Sequence, residues 1–131
     1  MNTLTTPIIL SKEDHDLILF YLRSGKWRSP ADSQSADKLE AELKRAQIVN
    51  KKNLRKDIVQ LNSLVKVRDL EANKLMELVI VTPDKANLKE MKISVLSPVG
   101  TALIGFGQGD YVKWKVPAGE KLFVIEEVIK D

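Results

Sequence analysis

The sequence predicts an α+β protein in which a helical N-terminal part precedes a β-sheet domain that carries one short helix. Apolar residues recur every three or four positions before residue 50 and tend to alternate with polar ones after residue 64, which are the spacings of helices and strands. Between the strands, Ser97 suits a helix N-cap, Pro98 the first helical position and Gly105 the exit. A short helix is therefore expected at residues 98–104.

The composition is that of a protein with a sizeable core and no thiol chemistry. The chain has 131 residues, of which 44% are hydrophobic and 30% charged, as in soluble globular proteins. It has no cysteine, which excludes disulfides and thiolate metal sites. The first residues do not form a signal peptide, and no run approaches the ~20 apolar residues of a membrane span. We therefore expect a cytoplasmic protein that does not contact membranes.

Residues 1–50 predict a short antiparallel helical hairpin, that is, a short coiled coil. The first helix follows a capping signal at residues 11–14 and ends at Gly25. Its predicted inner face comprises Leu17, Ile18, Tyr21 and Leu22. The second helix carries a narrow apolar stripe, comprising Ala36, Leu39, Leu43 and Ala46. The connection at about residues 24–34 forms the tip, and so short a hairpin predicts a monomer.

Residues 51–131 predict the sheet domain. Residues 50–62 have the composition of a basic linker, and residues 64–68 alternate as a half-exposed strand does. Residues 74–82 are nearly all apolar, which predicts an inner strand buried on both faces. Residues 111–116 and 122–129 predict a hairpin across a turn at residues 117–120. We expect these strands to pair antiparallel, with the short helix packed on one face.

Positive charge is concentrated in the first 56 residues, which hold 11 Lys and Arg against 7 Asp and Glu. No acid lies among residues 44–56, which carry Lys44, Arg45, Lys51, Lys52, Arg55 and Lys56. This basic run favours a solvated face, with weak contact to nucleic-acid phosphates as the alternative. It lacks the aromatic residues that stack on bases.

No pattern in the sequence predicts catalysis, a cofactor or a metal site. His15 is the only histidine and lies between two aspartates, which favours a solvated helix position over a catalytic base. The glycines of residues 105–109 follow a predicted helix, whereas a phosphate loop follows a strand. Asp32 and Asp37 are candidate magnesium ligands near the hairpin tip, but the neighbouring cations oppose metal binding.

Trp27 lies at the predicted tip and allows two interpretations. Lys26 and Arg28 flank it, and an exposed tryptophan beside arginine is typical of an interface anchor. Packing of the ring back against the hairpin is the alternative. By contrast, Trp114 lies inside an alternating strand and is predicted to be structural.

A series of short motifs in the second half resembles the C-terminal domain of the bacterial Gre transcript-cleavage factors. The series consists of Asn62-Ser63, Thr82-Pro83, Ile93–Val95, Ser97-Pro98, Ala102–Gly105, Gly109-Asp110 and Pro117–Gly119. Asn62-Ser63 and the helix ending at Ala46-Gln47 are more similar to the shorter members of that family, the regulators of nucleoside diphosphate kinase. The resemblance covers most of the chain. It implies an FKBP-like sheet that carries an N-terminal helical hairpin.

The resemblance also implies a partner, bacterial RNA polymerase, and a regulator of transcription elongation rather than an enzyme. In Gre factors the sheet domain docks at the mouth of the polymerase secondary channel, and acidic tip residues help to hold magnesium. Ser97 and Pro98 match the loop that the family uses against polymerase, and the preceding Leu96 is a further predicted contact although it departs from the family pattern. Cleavage factors often have an acid or an amide at the position of Leu96.

The predicted hairpin departs from that of the cleavage factors in length and charge. Helices of about 12–16 residues span roughly 18–24 Å at 1.5 Å per residue, about half of a full Gre hairpin. The tip carries Lys26, Trp27 and Arg28, whereas cleavage requires acids there. We therefore expect the protein to compete with Gre factors at the secondary channel without stimulating cleavage. The alternatives are a nucleic-acid-binding module that uses residues 44–56 and, by fold analogy, a prolyl isomerase.

Overall fold

A computed structural model describes residues 7–25, 33–116 and 119–129 of the chain. Their fold is α+β, as predicted. The helices are α1 (Lys12–Ser24), α2 (Ser33–Arg45) and α3 (Pro98–Leu103). The strands are β1 (Ile9–Ser11), β2 (Gln47–Val49), β3 (Leu64–Asp69), β4 (Lys74–Val81), β5 (Lys92–Ser94), β6 (Tyr111–Val116) and β7 (Gly119–Ile129). Single 3-10 turns lie at Lys51–Asn53, Pro83–Lys85 and Leu88–Glu90.

Helix α1 begins and ends where the sequence predicts. The Ser11 hydroxyl accepts the Asp14 amide at 3.1 Å, and Gly25 ends the helix in the left-handed region at φ 66°, a conformation that glycine adopts without strain. The inner face is rotated from the prediction. Ile18 and Leu22 are buried, whereas Leu17 is 42% exposed, because α2 and the strands β1 and β2 contact the other side of the helix.

Helix α2 buries the predicted stripe at Ala36, Leu39 and Leu43. It contacts α1. The connection between the two helices, with Lys26, Trp27 and Arg28, lies outside the described residues. The arrangement of the two helices as an antiparallel hairpin therefore stays a prediction.

The main sheet has five strands in the order β5-β4-β3-β7-β6. Strand β3 pairs antiparallel with β4 and β7, and β6 pairs antiparallel with β7. The four strands predicted from the sequence therefore pair antiparallel as expected. Strand β5 runs parallel to β4, so the sheet as a whole is mixed and its description as antiparallel is wrong. The reason lies in residues 83–91, where two 3-10 turns carry the chain back to Val79, in the second half of β4, before β5 begins. The FKBP-like classification stays a prediction.

Strand β4 is an inner strand by its position, but only its second half is buried. Leu78, Ile80 and Val81 are buried, whereas Lys74 and Leu75 are exposed. The prediction of burial on both faces is therefore wrong for the first half of the strand. The exposed first half of β4 pairs with β3 alone, whereas β5 pairs with β4 from Val79 to Val81.

Two parallel strands, β1 and β2, join the helical part to the rest of the protein, and no signal in the sequence predicted them. The Ile9 amide donates to the Gly105 carbonyl at 3.1 Å, and the Gln47 amide donates to the Ile8 carbonyl at 2.8 Å. Ile8, Ile18 and Leu39 belong to the same hydrophobic cluster as the buried sheet residues. The division of the chain at residue 50 stays a prediction.

The segment at residues 50–62 is only partly a linker. Its first residues form an exposed 3-10 turn, but Ile58, Val59 and Leu61 are buried. The Val59 amide donates to the Phe106 carbonyl at 2.8 Å, and the Gly105 amide donates to the Val59 carbonyl at 3.0 Å. These hydrogen bonds draw the segment into the core beside the end of α3. Within the described ranges, no helix is long and apolar enough to cross a membrane.

The turn after β3 generates a prediction of pH dependence. The buried Asp69 carboxylate accepts the Ala72 and Glu71 amides and the Lys121 ammonium at 3.0–3.2 Å. The hydrogen bond from Ala72, together with those from Lys121 and Glu71, lowers the pKa of Asp69 below its ordinary value of 3.8. A carboxyl with a lowered folded-state pKa stabilises the fold above its unfolded pKa and ceases to do so as the pH falls through the folded value.

We therefore expect the free energy of unfolding to decline as the pH falls below about 4. The variant D69N keeps an oxygen acceptor but has no titrating proton, so its stability should be lower at neutral pH and flatter with pH. Urea unfolding between pH 2 and pH 7 measures both. E71Q is the matched control, and an equal flattening in E71Q would contradict the assignment to Asp69.

Candidate functional site

The predicted docking residues lie on a turn of fixed geometry between β5 and α3, here called the Ser-Pro loop (residues 94–98). The Ser97 hydroxyl donates to the Ser94 carbonyl at 2.7 Å and accepts the Gly100 amide at 3.1 Å. The Leu96 amide donates to the Ser94 hydroxyl, also at 3.1 Å. Each hydroxyl of the loop is therefore engaged within the loop or with the start of α3.

Helix α3 approaches the loop so closely that its third residue has no room for a side chain. A Cβ built on Gly100 would collide with the Ser94 carbonyl oxygen and lie 2.8 Å from the Cα of Val95. Glycine allows such an approach of two backbones. The Thr101 hydroxyl adds a hydrogen bond to the Val95 carbonyl at 3.1 Å. The loop conformation is thus determined from both sides.

The three predicted loop residues differ in exposure. Ser97 and Pro98 are partly exposed, whereas Leu96 is 1% exposed and belongs to the hydrophobic core. Leu96 therefore supports the loop from below, and its side chain does not face a partner. The other three predicted contact residues, Lys26, Trp27 and Arg28, lie outside the described part of the chain.

The Ser-Pro loop lies at the carboxyl ends of the parallel strands β4 and β5. The Val95 amide donates to the Val81 carbonyl at 2.8 Å, and the turn Pro83–Lys85 contacts β5. The Tyr21 hydroxyl of α1 donates to the Asp84 carboxylate at 2.9 Å. Hydrogen bonds from Thr82 and then Tyr21 lower the pKa of Asp84, and the same carboxylate raises the pKa of Tyr21. Helix α1 is therefore tied to the turn beside the loop.

The basic run at residues 44–56 forms an exposed strip at the end of α2 and the turn that follows β2. Arg45 lies 3.7 Å from Glu42, and Arg55 lies 3.1 Å from Asp57. In the described part of the chain, four exposed lysines of the strip make no ion pair: Lys44, Lys51, Lys52 and Lys56. The strip therefore presents uncompensated positive charge.

The residues that were weighed for catalysis or metal binding lie on separate elements of the described structure. The His15 ring nitrogen lies 3.3 Å from an Asp16 carboxylate oxygen on the surface of α1. Asp37 is exposed on α2, and Asp32 lies outside the described residues. Residues 105–109 form a turn closed by the Asp110 carboxylate, which accepts the Gly107 amide at 2.8 Å. No group of three or more metal-ligating side chains occurs in the described part of the chain.

The fold and the loop agree with a known domain family. Residues 54–130 match the family described as "Transcription elongation factor, GreA/GreB, C-term", which is more than half of the chain. The chain therefore belongs to the GreA/GreB C-terminal domain family. The resemblance noted in the sequence is confirmed.

Two relatives illustrate the similarity in sequence. The chain is 38% identical over 94 residues to the transcription elongation factor GreA of Alkaliphilus oremlandii. The aligned region covers 72% of this chain and 59% of that protein. It is 39% identical over 84 residues to the regulator of nucleoside diphosphate kinase of Escherichia coli K12. Here the aligned region covers 64% of this chain and 62% of that protein. The chain thus spans about three fifths of the length of these curated relatives.

Solved structures extend the similarity to the fold. The GreA/GreB transcription elongation factor of Nitrosomonas europaea superposes with a TM-score of 0.79 at 32% identity, covering 96% of this chain and 100% of that one. The GreA factor homolog 1 of Thermus thermophilus superposes with a TM-score of 0.51 at 23% identity, covering 94% of this chain and 99% of that one. The second likeness shows the fold alone.

Several motifs that carry the family resemblance are turns with a physical role. Asn62 adopts a left-handed φ of 73°, which asparagine tolerates better than most residues, and its amide donates to the Ile80 carbonyl. The buried Ser63 hydroxyl accepts the Gln60 amide at 3.0 Å. Gly105 and Gly109 take φ values of 82° and 93°. These residues shape the fold and lie outside the Ser-Pro loop, whereas Ser97 and Pro98 lie within it.

Two features of α1 were not predicted from the sequence. One is the hydrogen bond between Tyr21 and Asp84, which are 63 positions apart. The other is the outward exposure of Leu17 and Phe20 on α1. The signal for the second feature is the presence of apolar residues all around α1, which is more than one buried face requires.

The geometry of the Ser-Pro loop predicts different costs for its two named residues. The variant S97A removes the cap of α3 and the bond to Ser94, so it should lower the free energy of unfolding by about 1–2 kcal/mol. The variant P98A keeps every backbone hydrogen bond and should cost only about 0.5–1 kcal/mol. Urea unfolding monitored by the fluorescence of Trp114 and Trp27 compares them. A larger loss in P98A than in S97A would contradict this account of the cap.

Proposed function

We propose that this protein is a regulator of transcription elongation that binds bacterial RNA polymerase through the Ser-Pro loop. The observation that carries the proposal is a preformed surface turn at Ser97 and Pro98, within a chain that belongs to the GreA/GreB C-terminal domain family. A turn whose conformation is set before binding loses little entropy on docking.

The proposed docking site is the mouth of the polymerase secondary channel, where the protein competes with longer Gre factors. The length of the helices supports competition without stimulation of transcript cleavage. Helices α1 and α2 have 13 residues each, which corresponds to roughly 20 Å at 1.5 Å per residue. Lys26, Trp27 and Arg28 lie between them in the sequence, and this basic segment does not suit a magnesium ion.

The rigid attachment of α1 also supports the proposal. The Asp14 carboxylate accepts the Leu61 amide at 3.0 Å, and Tyr21 bonds to Asp84. These contacts hold α1 at two points along its length to segments that neighbour the sheet. A polymerase that holds the Ser-Pro loop would therefore also hold α1 in a defined direction.

A pull-down of RNA polymerase core tests the proposal. The wild-type chain should retain the polymerase at moderate salt, a longer Gre factor should displace it, and P98A should bind at least about tenfold more weakly, a loss of about 1.4 kcal/mol. P7A is the matched control, because Pro7 is exposed and lies outside the loop. P7A should bind as the wild type does.

Three results would contradict the proposal at different points. No binding by the wild type would reject polymerase as the partner. Equal binding by P98A and P7A would reject the Ser-Pro loop as the contact. Stimulation of transcript cleavage in stalled complexes, at the level of a Gre factor, would reject the competitor role.

Nucleic-acid binding through the basic strip is a second candidate function. It is favoured by the four exposed lysines without an ion pair among the described residues. If all four contacted phosphates of duplex DNA, affinity would fall with a logarithmic salt slope of about −3.6, or about 150-fold between 50 and 200 mM salt.

Charge reversal within the strip tests this alternative. The variant K51E/K52E should abolish most of the DNA affinity and flatten the salt slope, as measured by fluorescence anisotropy. K74E/K89E changes the net charge equally at exposed lysines outside the strip and is the matched control. Equal losses in the two variants would indicate attraction to the overall charge and would reject the strip as a binding surface. No observation favours the prolyl isomerase alternative.

A further inference from the structure

Helix α1 presents a continuous stripe of exposed residues on the side opposite its buried face. At 3.6 residues per turn the members of this stripe fall within about a third of the helix circumference. They are all exposed, and they are Glu13, Asp16, Leu17, Phe20, Arg23 and Ser24. We call this set the outer stripe of α1.

The middle of the outer stripe is apolar. Leu17 is 42% exposed and Phe20 is 63% exposed, and they lie one turn apart. The Phe20 ring meets the edge of the Tyr21 ring with 5.3 Å between centroids, which supports it from one side. Phe20 also lines a surface groove with Leu19 and Arg23. Adjacent exposed apolar groups of this kind, framed by polar residues, are typical of a contact surface.

The two ends of the outer stripe carry opposite charges. Glu13 and Asp16 lie in the first half of α1 and Arg23 lies in the last turn. Asp16 bonds to Lys12 within the helix. Glu13 and Arg23 make no ion pair among the described residues. A helix with this charge order is complementary to an antiparallel copy of itself.

We propose that a second copy of this chain packs antiparallel on the outer stripe. A twofold axis midway between Leu17 and Phe20 sets Leu17 of one copy against Phe20 of the other. The same axis brings Arg23 of each copy within reach of Glu13 of the other. The contact is isologous, with the same residues used by both copies, so it closes at a dimer.

The size of the stripe determines the strength of this dimer. Helix α1 has 13 residues, or roughly 20 Å at 1.5 Å per residue. One such helix from each chain buries less than the ~1,200 Å² of a stable interface. The dimer is therefore weak and exchanges with the monomer. This proposal differs from the monomer that the sequence predicts, and the measurement below distinguishes the two.

Sedimentation equilibrium of the full chain between about 10 µM and 1 mM tests the dimer. The mean mass should rise with concentration from 14.8 kDa towards twice that value, and it should rise less at high salt. The variant F20E sets a negative charge at the apolar centre and should raise the dissociation constant at least about tenfold. L88E is the matched control, because Leu88 is an exposed leucine outside the stripe.

A charge exchange tests the antiparallel arrangement itself. The variant R23E should weaken the dimer, and E13K/R23E should restore the dissociation constant to within about threefold of the wild type, because the opposite charges face each other again. Circular dichroism reports whether α1 is retained in each variant.

Four outcomes would overturn the proposal. A constant mass of 14.8 kDa at every concentration would exclude self-association, and an equal effect of F20E and L88E would exclude the outer stripe. No recovery in E13K/R23E, with α1 retained, would exclude the antiparallel arrangement. A mass that exceeds twice the chain mass would exclude closure by a twofold axis.

Discussion

The close approach of helix α3 to the end of strand β5 is the constraint on which most of this structure depends. Gly100 touches the backbone of Ser94 and Val95, and a larger residue would push the helix away. That helix carries Leu103 into the core, and the residue that follows it, Ile104, is also fully buried. The same contact sets the Ser-Pro loop at the surface. Core packing and the shape of the candidate docking site therefore rest on one backbone contact.

Several hydrogen bonds extend this constraint to the N-terminal helices. Strand β1 bonds to Gly105 just beyond α3, and a Cβ on Gly105 would overlap Ile8. Asp14 and Tyr21 hold α1 to the segments before β3 and after β4. Since the helices and the sheet also share one hydrophobic cluster, the direction of α1 relative to the Ser-Pro loop is built into the fold. A partner that recognises one would encounter the other in a fixed geometry.

The motifs that identify the family are mostly places where the chain turns. Asn62, Gly105 and Gly109 have positive φ values, and Ser63 and Asp110 accept hydrogen bonds from backbone amides. Such positions admit few residue types, because the left-handed region and a buried acceptor are both restrictive. This explains how a chain that spans about three fifths of its relatives is still recognisable from its second half.

The sequence by itself determined the features that depend on neighbouring residues. The caps at Ser11 and Ser97, the exit at Gly25 and the alternation around Trp114 follow from local chemistry, and the structure has them where predicted. These are short-range effects, in which one side chain meets a backbone group within a few positions. The choice of Ser97 and Pro98 as the candidate site came from the family resemblance and stays a prediction.

Only the tertiary structure decided the features that join distant parts of the chain. The parallel direction of β5, the outward face of α1 and the burial of Leu96 all depend on which segments meet in the core. The hydrogen bond between Tyr21 and Asp84 joins residues that are 63 positions apart, so no local sequence pattern predicts it. Helical spacing shows that a helix has an apolar face, but where α1 is apolar all around, its packing against α2, β1 and β2 selects the face that is buried.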